Sequence, residues 1–248
     1  MVSFRPYGRL GNFLFMCANG IAYSLKHNEP FSVPYQTNDS FWNPIYFPHL
    51  IDTNYIQGQE DVLVNENGFR WQEIPFEESW KGRQIVLNGY FQSWKYIEEH
   101  RKEIIYLFDL RYKLKPKTAS IHVRRGDYLR YPEKHPPYSL EYLQEAVSYM
   151  INEKGVEKFE VYSDDTMWCL DNLSHVQNVK IIETGNELED LVEASCCEHN
   201  ICSSSTFSFW IAWLNRNEDK ACVFPKLWFT EGYELDTTDL LHPNWIKM

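Results

Sequence analysis

Arg124 and Arg125 stand side by side in the stretch "IHVRRGDYLRY", residues 121–131. A guanidinium is a planar fork of N–H donors that grips phosphate or carboxylate oxygens in pairs and keeps its charge at any working pH. The residues before the pair are β-forming, and Gly126 behind it permits a sharp turn. Both arginines therefore belong at the carboxyl edge of a sheet, where open α/β folds bind ligands. Side chains alternate along a strand, so the two should diverge, one toward a diphosphate and the other toward protein carboxylates. The plain alternative puts both in ion pairs with surrounding acids. Asp127 follows at once, either as a carboxylate able to take a proton at the mouth of the site or as a partner that fixes one of the arginines. An integrin-type loop made from Arg-Gly-Asp does not suit a chain without a secretion signal.

Three further stretches carry chemistry. In "HNICSSSTFSFWIAWLN", residues 199–215, a strand runs into a Ser/Thr cluster that opens an aromatic helix. Ser204, Ser205 or Thr206 suits the N-cap position, and the helix start behind it is an anion site without any basic residue. Ordinary capping explains the same residues. In "FEVYSDDTMW", the carboxylates of Asp164 and Asp165 follow a strand. One is suited to capping the next helix, and the other to accepting hydrogen bonds from purine N–H groups. In "GRLGNFLFMCA", residues 8–18, two glycines allow close approach to the backbone at a strand-to-helix turn. That stretch fits neither the dinucleotide fingerprint nor a phosphate-binding P-loop.

The elements that must position these residues alternate between strand and helix. Residues 118–123, 159–163 and 179–184, "HNICS" and 221–224 read as strands, the last of them closing the series. "YSLEYLQEAVSYMINEKG", "DTMWCLDNL", "ELEDLVEAS" and "STFSFWIAWLNR" read as the helices between them. Such alternation with short links predicts a parallel sheet covered by helices. The first half has a strand in "VSFRPYG", an apolar helix in "NFLFMCANGIAYSLKH", a strand near "PFSV", another over 84–91 and a helix in "KYIEEHRKEIIYLF". Residues 34–83 lack periodicity and are read as the part that shapes a second substrate's pocket. The charged, Pro-containing "RYKLKPKT" serves as the hinge. The expectation is two α/β domains, 1–115 and 116–248, with a cleft between them as the site.

Composition narrows the partners. The chain has 248 residues, of which 44% are hydrophobic and 16% aromatic, which is enough for sizeable cores. A formal net charge of −11 excludes a nucleic-acid partner, which would need a basic footprint. An anionic ligand must instead be met by a few placed cations. No apolar run reaches 18 residues, so no membrane span is expected, and the opening residues do not read as a signal peptide. The six cysteines show no C-x-x-C or zinc-finger spacing and read as buried free thiols in a reducing cytosol, so the expected location is cytoplasmic.

Taken in order, these stretches resemble the bacterial-type α-1,2-fucosyltransferases of glycosyltransferase family 11. "GRLGNFLF" looks like the family's G-x-LGNQ-x-F element, and "GYFQSWKYI" is similar to its GYFQS-x-KYF segment. "HVRRGDY" matches the H-x-RRGDY hallmark, and "VYSDD", "HNICSSSTFSFWIAWLN" and "PKLWF" follow in family order. The resemblance implies a GT-B fold, two Rossmann-like domains facing across a cleft, with the acceptor on the N-terminal side. It implies GDP-fucose as donor, a glycan acceptor attacked with inversion, at O-2 of a galactoside, and no metal. No D-x-D motif, the usual metal-bound nucleotide signature, occurs in the chain.

Carried over by position, the resemblance places His122 at the guanosine, Arg124 at the β-phosphate and Arg125 at the loop or phosphate. Asp164 or Asp165 would hold guanine, and Ser205, Thr206 and Phe207 would border the phosphates. Phe13 stands where the family has Gln, Ser204 where it has Asn, and Phe209 and Ile211 where it has Trp and Gly. The first departure falls in the region expected to meet the sugar. The same scaffold with another nucleotide sugar, or a non-catalytic binding relative, are the competing readings.

Overall fold

The computed structural model describes residues 1–34 and 62–248. The chain forms two compact units, Met1–Leu110 with Asp236–His242, and Arg111–Leu235 with Pro243–Met248.

The first unit opens with strand β1 (Val2–Phe4) and helix α1 (Leu10–His27). An almost unbroken apolar run from Phe13 to Tyr23 is buried and drives this helix. It stops at Asn28, whose left-handed φ of 54° turns the chain away after a cationic last turn of Lys26 and His27. Strands β2 (Val62–Asn65) and β3 (Ile85–Asn88) complete a parallel sheet in the order β1-β3-β2, with Ile85 opposite both Val2 and Val62. Helix α2 (Arg101–Phe108) follows and buries Ile104 and Phe108. Two expectations change here. "PFSV" forms no named strand but bridges at Phe31, to Val2, and at Val33, and β2 lies inside the stretch read as irregular. The rest of that stretch, residues 35–61, falls outside the described residues. Residues 236–242 belong to this unit through Asp239, which pairs with Lys95 and with Arg70 at 3.2 Å, while Ser93 Oγ donates to the Asp239 carbonyl at 2.6 Å.

The second unit carries strands β4 (Lys115–Val123), β5 (Lys158–Ser163), β6 (Val179–Ile181), β7 (Cys197–Ile201), β8 (Cys222–Phe224) and β9 (Ile246–Lys247). Between them run helices α3 (Leu140–Lys154), α4 (Thr166–Leu173), α5 (Glu187–Ser195) and α6 (Thr206–Leu214). The six strands are parallel in the order β6-β5-β4-β7-β8-β9, the doubly wound dinucleotide-type arrangement. The expected α/β class, with a parallel sheet in each half, is what the protein has. Strand β8 does not close the series, because β9 at the C-terminal end pairs with it. Only two residues long, β9 has too little pattern to be read from sequence.

Strand β4 is central, so Ala119–Val123 are all buried. Ile121 and Val123 meet Leu143, Ala146, Val147 and Met150 of α3 and Cys169 and Leu173 of α4 on one face. Full burial of such a side chain contributes about 1.5–3 kcal/mol. The other face is partly polar and fully bonded. Asn200 Nδ2 donates to Ser120 Oγ at 2.8 Å and to the Ala194 carbonyl at 3.1 Å, while its Oδ1 accepts from Asn215 Nδ2 at 2.9 Å. A buried network of this kind tolerates little change, because each lost partner strands another polar group. All six cysteines are free and buried. Among the described residues, no helix is long and apolar enough to cross a membrane.

Candidate active site

Strand β4 pairs with β5 on one side and β7 on the other, and the order of the sheet reverses between β4 and β7. This switch point is where a doubly wound sheet opens a crevice beyond its strand ends. His122, Arg124 and Arg125 come to that edge from β4, Asp164 and Asp165 from β5, and Ser203–Phe207 from β7 and α6.

Two serines join the strands there. Ser203 Oγ donates to the His122 carbonyl at 2.6 Å and accepts the Arg124 N–H at 3.0 Å. Ser208 Oγ accepts the Ser203 N–H at 2.8 Å and lies 2.6 Å from His122 Nδ1. The Ser208 hydroxyl has two lone pairs and one proton, so it can meet Nδ1 as donor or as acceptor and ties the ring in place with either tautomer. The ring lies 4.8 Å from that of Phe207. Burial first, and Arg124 second, push the imidazole down to about 3 against the opposing pull of Asp164. His122 is neutral at ordinary pH.

The arginines do diverge, but both end on carboxylates. The Arg124 side chain is only 12% exposed and lies between Asp127 and Asp164, 2.5 Å from the latter, with Tyr128 beneath it at 5.4 Å. Arg125 Nε donates to Asp165 at 3.0 Å, and its guanidinium covers the Trp168 ring at 4.4 Å. The expectation that just one arginine pairs with protein acids is thus corrected. Two consecutive acids, just past the end of the strand next to β4, reach both cations.

Each acid also binds backbone. Asp164 Oδ1 accepts the N–H groups of Arg125 and Gly126 at 2.9 and 3.1 Å. This approach requires the glycine, since a Cβ at Gly126 would stand 2.7 Å from Asp164 Oδ2. Asp165 Oδ1 caps α4 through the Trp168 N–H at 3.1 Å. That N–H, and then Arg125, hold its carboxyl below the usual range. All four carboxylate oxygens are engaged.

Across the crevice, Ser205 is the N-cap of α6 and accepts the Phe207 N–H at 3.2 Å. Ser204 Oγ turns away to the Leu227 carbonyl at 2.6 Å, and Tyr128 Oη reaches the Ser204 carbonyl at 3.2 Å. Thr206 and Phe207 are half-buried at the helix start. A cavity of about 310 Å³ adjoins Arg124, Tyr128, Ser203 and Ser204 and runs to Tyr142 and Lys226. A fixed cation, hydroxyls and the positive end of α6 meet at one edge, an arrangement suited to an anionic group such as a diphosphate.

Sequence reading named the ends of the strands and missed what steadies them. Ser203 and Ser208 stand inside the quoted Ser/Thr run, and Tyr128 directly follows Asp127. Their roles depend on partners far along the chain. Trp168 had a signal, since it lies three residues past Asp165 on a helix that Asp165 caps. Three of the four departures are core positions: Phe13, Phe209 and Ile211 are at most 1% exposed.

A doubly wound α/β unit with an anion-receptive switch point is the class this fold and site define. The model of glycosyl transferase family 11 matches residues 87–248, and the chain belongs to that family. Among curated proteins, the O-antigen biosynthesis glycosyltransferase WbnK of Escherichia coli is 30% identical in an alignment that covers 80% of this chain and 72% of that one. An alpha-1,2-colitosyltransferase of Escherichia coli is 24% identical and aligns with 98% of this chain and 97% of its own length. The galactoside alpha-(1,2)-fucosyltransferase 2 of Oryctolagus cuniculus is 26% identical over 86% of this chain and 67% of its own.

Proposed function

We propose that this protein transfers fucose from GDP-fucose to O-2 of a galactoside in a glycan, with inversion and without a metal. The observation that carries the reading is Arg124, held at the switch point beside the start of α6 in a member of family 11. In this reading the second unit binds the donor and the first receives the acceptor. The acceptor oxygen attacks the anomeric carbon as the bond from that carbon to the diphosphate breaks, and GDP leaves with the electron pair. Arg124 and the α6 terminus stabilise the charge that grows on the diphosphate. Neutral His122 meets the guanosine through Nε2, Asp164 or Asp165 receives guanine N–H groups on lone pairs left beside its present partners, and Ser205, Thr206 and Phe207 border the phosphates. Arg125 holds the turn through Asp165. The acceptor proton goes to a carboxylate, for which Asp127 is a candidate, or to the departing phosphate.

A second reading keeps the scaffold and changes the sugar to a relative of fucose. The alignment with the colitosyltransferase over nearly both lengths favours it. Incubation with GDP-fucose, GDP-colitose, GDP-mannose and UDP-galactose, followed by released nucleotide, separates the readings. Turnover of GDP-fucose supports the first and turnover of GDP-colitose alone supports the second. Turnover of UDP-galactose alone, or of no donor, overturns both.

A further inference from the structure

We propose that His135, acting through the ring of Tyr128, holds Arg124 in the plane in which it meets the diphosphate, a role that rests on the donor reading above. Asp127 and Asp164 take different nitrogens of that guanidinium. Two such anchors fix its ends and leave the plane free to tilt about the line between them. The Tyr128 ring, 5.4 Å from the guanidinium carbon, sets the tilt. Tyr128 is itself held at its edge, where Oη donates to the Ser204 carbonyl at 3.2 Å, and on one face, where the His135 ring stacks at 3.7 Å and 10°. A ring that close covers its face of the phenol and leaves the other for Arg124.

His135 works by its face. Its Nδ1 is buried and has no hydrogen-bond partner among the described residues, so that edge does not orient the ring. The loop does. The Tyr131 carbonyl accepts the His135 N–H at 2.9 Å, while Thr230 donates its N–H to the Lys134 carbonyl at 3.0 Å and its Oγ1 proton to the Pro132 carbonyl at 2.9 Å. The Lys134 ammonium lies over the Phe229 and Tyr233 rings at 5.9 and 5.7 Å, which pins the loop on its other side. His135 is not among the described residues that border the cavity beside Arg124, so a change at 135 reaches that cavity through Tyr128.

The stack requires an uncharged ring. The charged groups that face His135 are Lys134 and Arg124 on one side of the balance and Asp127 and Glu133 on the other. Burial first, and Lys134 second, keep the imidazole neutral at ordinary pH. No like charge therefore stands across Tyr128 from the guanidinium, and a flat neutral ring of any chemistry meets the need.

Binding of GDP and of guanosine to the full chain, measured by calorimetry, tests this. His135→Ala is expected to bind GDP roughly five- to ten-fold more weakly and to bind guanosine, which lacks the diphosphate, as the parent does. His135→Phe keeps a flat ring and strands no nitrogen, so it should hold GDP to within about two-fold of the parent. In an Arg124→Ala background, His135→Ala should cost GDP nothing further, because the group it positions is gone. Where thermal melts show the alanine variant unfolded, His135→Leu, which keeps the volume and not the plane, takes its place in both backgrounds. Full GDP affinity in the folded variant overturns the proposal, as does a failure of His135→Phe to rescue. A merely structural role would weaken guanosine along with GDP or add to the Arg124→Ala loss, and either result overturns it as well. Arg124→Ala that binds GDP like the parent brings down the donor reading and this role with it, a result distinct from a silent His135 beside an intact Arg124 effect.

Discussion

Arg124 meets Asp164 at 2.5 Å, and the same carboxylate receives the N–H groups of Arg125 and Gly126. The cation and the turn that carries it are thus fixed by one side chain from the neighbouring strand. A guanidinium held this way needs no reorganisation when charge develops on a leaving diphosphate. Arg124→Ala should lower transfer by about 10²–10³, or roughly 2.7–4 kcal/mol of transition-state stabilisation. Its melting temperature should move by only a few degrees, because Asp164 keeps its two N–H partners and Asp127, 45% exposed, turns to water. Steady-state kinetics beside a thermal melt decides it, and half-retained activity in a folded variant removes Arg124 from the mechanism.

Asp127 accepts from Arg124, and this contact shapes what its loss should do. A lost base lowers kcat and leaves GDP affinity unchanged, whereas a lost clamp on Arg124 weakens GDP binding. The geometry points to the clamp. Asp127→Asn is expected to bind GDP several-fold more weakly with kcat reduced less than ten-fold. Calorimetric GDP titration with single-turnover rates gives both quantities, and a large loss in kcat at unchanged GDP affinity would restore Asp127 as the base.

Much of this site was legible because its residues sit at strand ends and helix starts, which periodicity locates. Ser205 and Asp165 cap helices, as short polar side chains before an apolar run should. The engagement of Asp164 with both the Arg124 side chain and the following turn was not legible, because it depends on the register that sets β4 beside β5. In the first unit the apolar helix was plain, but β2 exposes Leu63 and Asn65 around a single buried Val64, and such a strand carries little pattern. The final strand β9 is held by its pairing with β8 rather than by propensity.

His122 gives the fold a dependence on pH that precedes carboxylate titration. Its folded value of about 3 lies below the roughly 6.5 of an unfolded histidine. Between these values the unfolded state binds the extra proton, so the stability His122 contributes is complete above about pH 6.5 and declines as pH falls toward 3. The slope approaches 1.4 kcal/mol per pH unit at most. His135, lowered to about 4 chiefly by burial and then by Lys134, acts in the same direction. Urea unfolding at pH 7, 6, 5 and 4 should show falling stability, with a shallower fall in His122→Asn. An identical slope in that variant would mean that His122 does not titrate with folding.

Chelation tests the way the diphosphate is neutralised. Among the described residues, no group of three or more His, Cys, Asp or Glu side chains is placed to hold a metal ion, and the acids at the switch point are occupied by arginines. Transfer is expected to keep at least nine-tenths of its rate in excess EDTA, measured as released GDP. Loss of turnover that manganese restores would assign the diphosphate to a metal in place of Arg124 and α6.

Phe13 stands where the family has Gln, at a place expected to meet the sugar, yet its ring is 1% exposed and packs edge-on against Phe4 at 5.6 Å. Position 13 therefore serves the core of the first unit. Phe13→Gln would exchange a buried ring for an amide among apolar neighbours, where an unpaired polar group costs about 1–3 kcal/mol beyond the lost packing. The expected outcome is a melting temperature lowered by several degrees with the ratio of GDP-fucose to GDP-mannose turnover unchanged. If the variant keeps its stability and that ratio shifts ten-fold, position 13 reads the donor sugar after all.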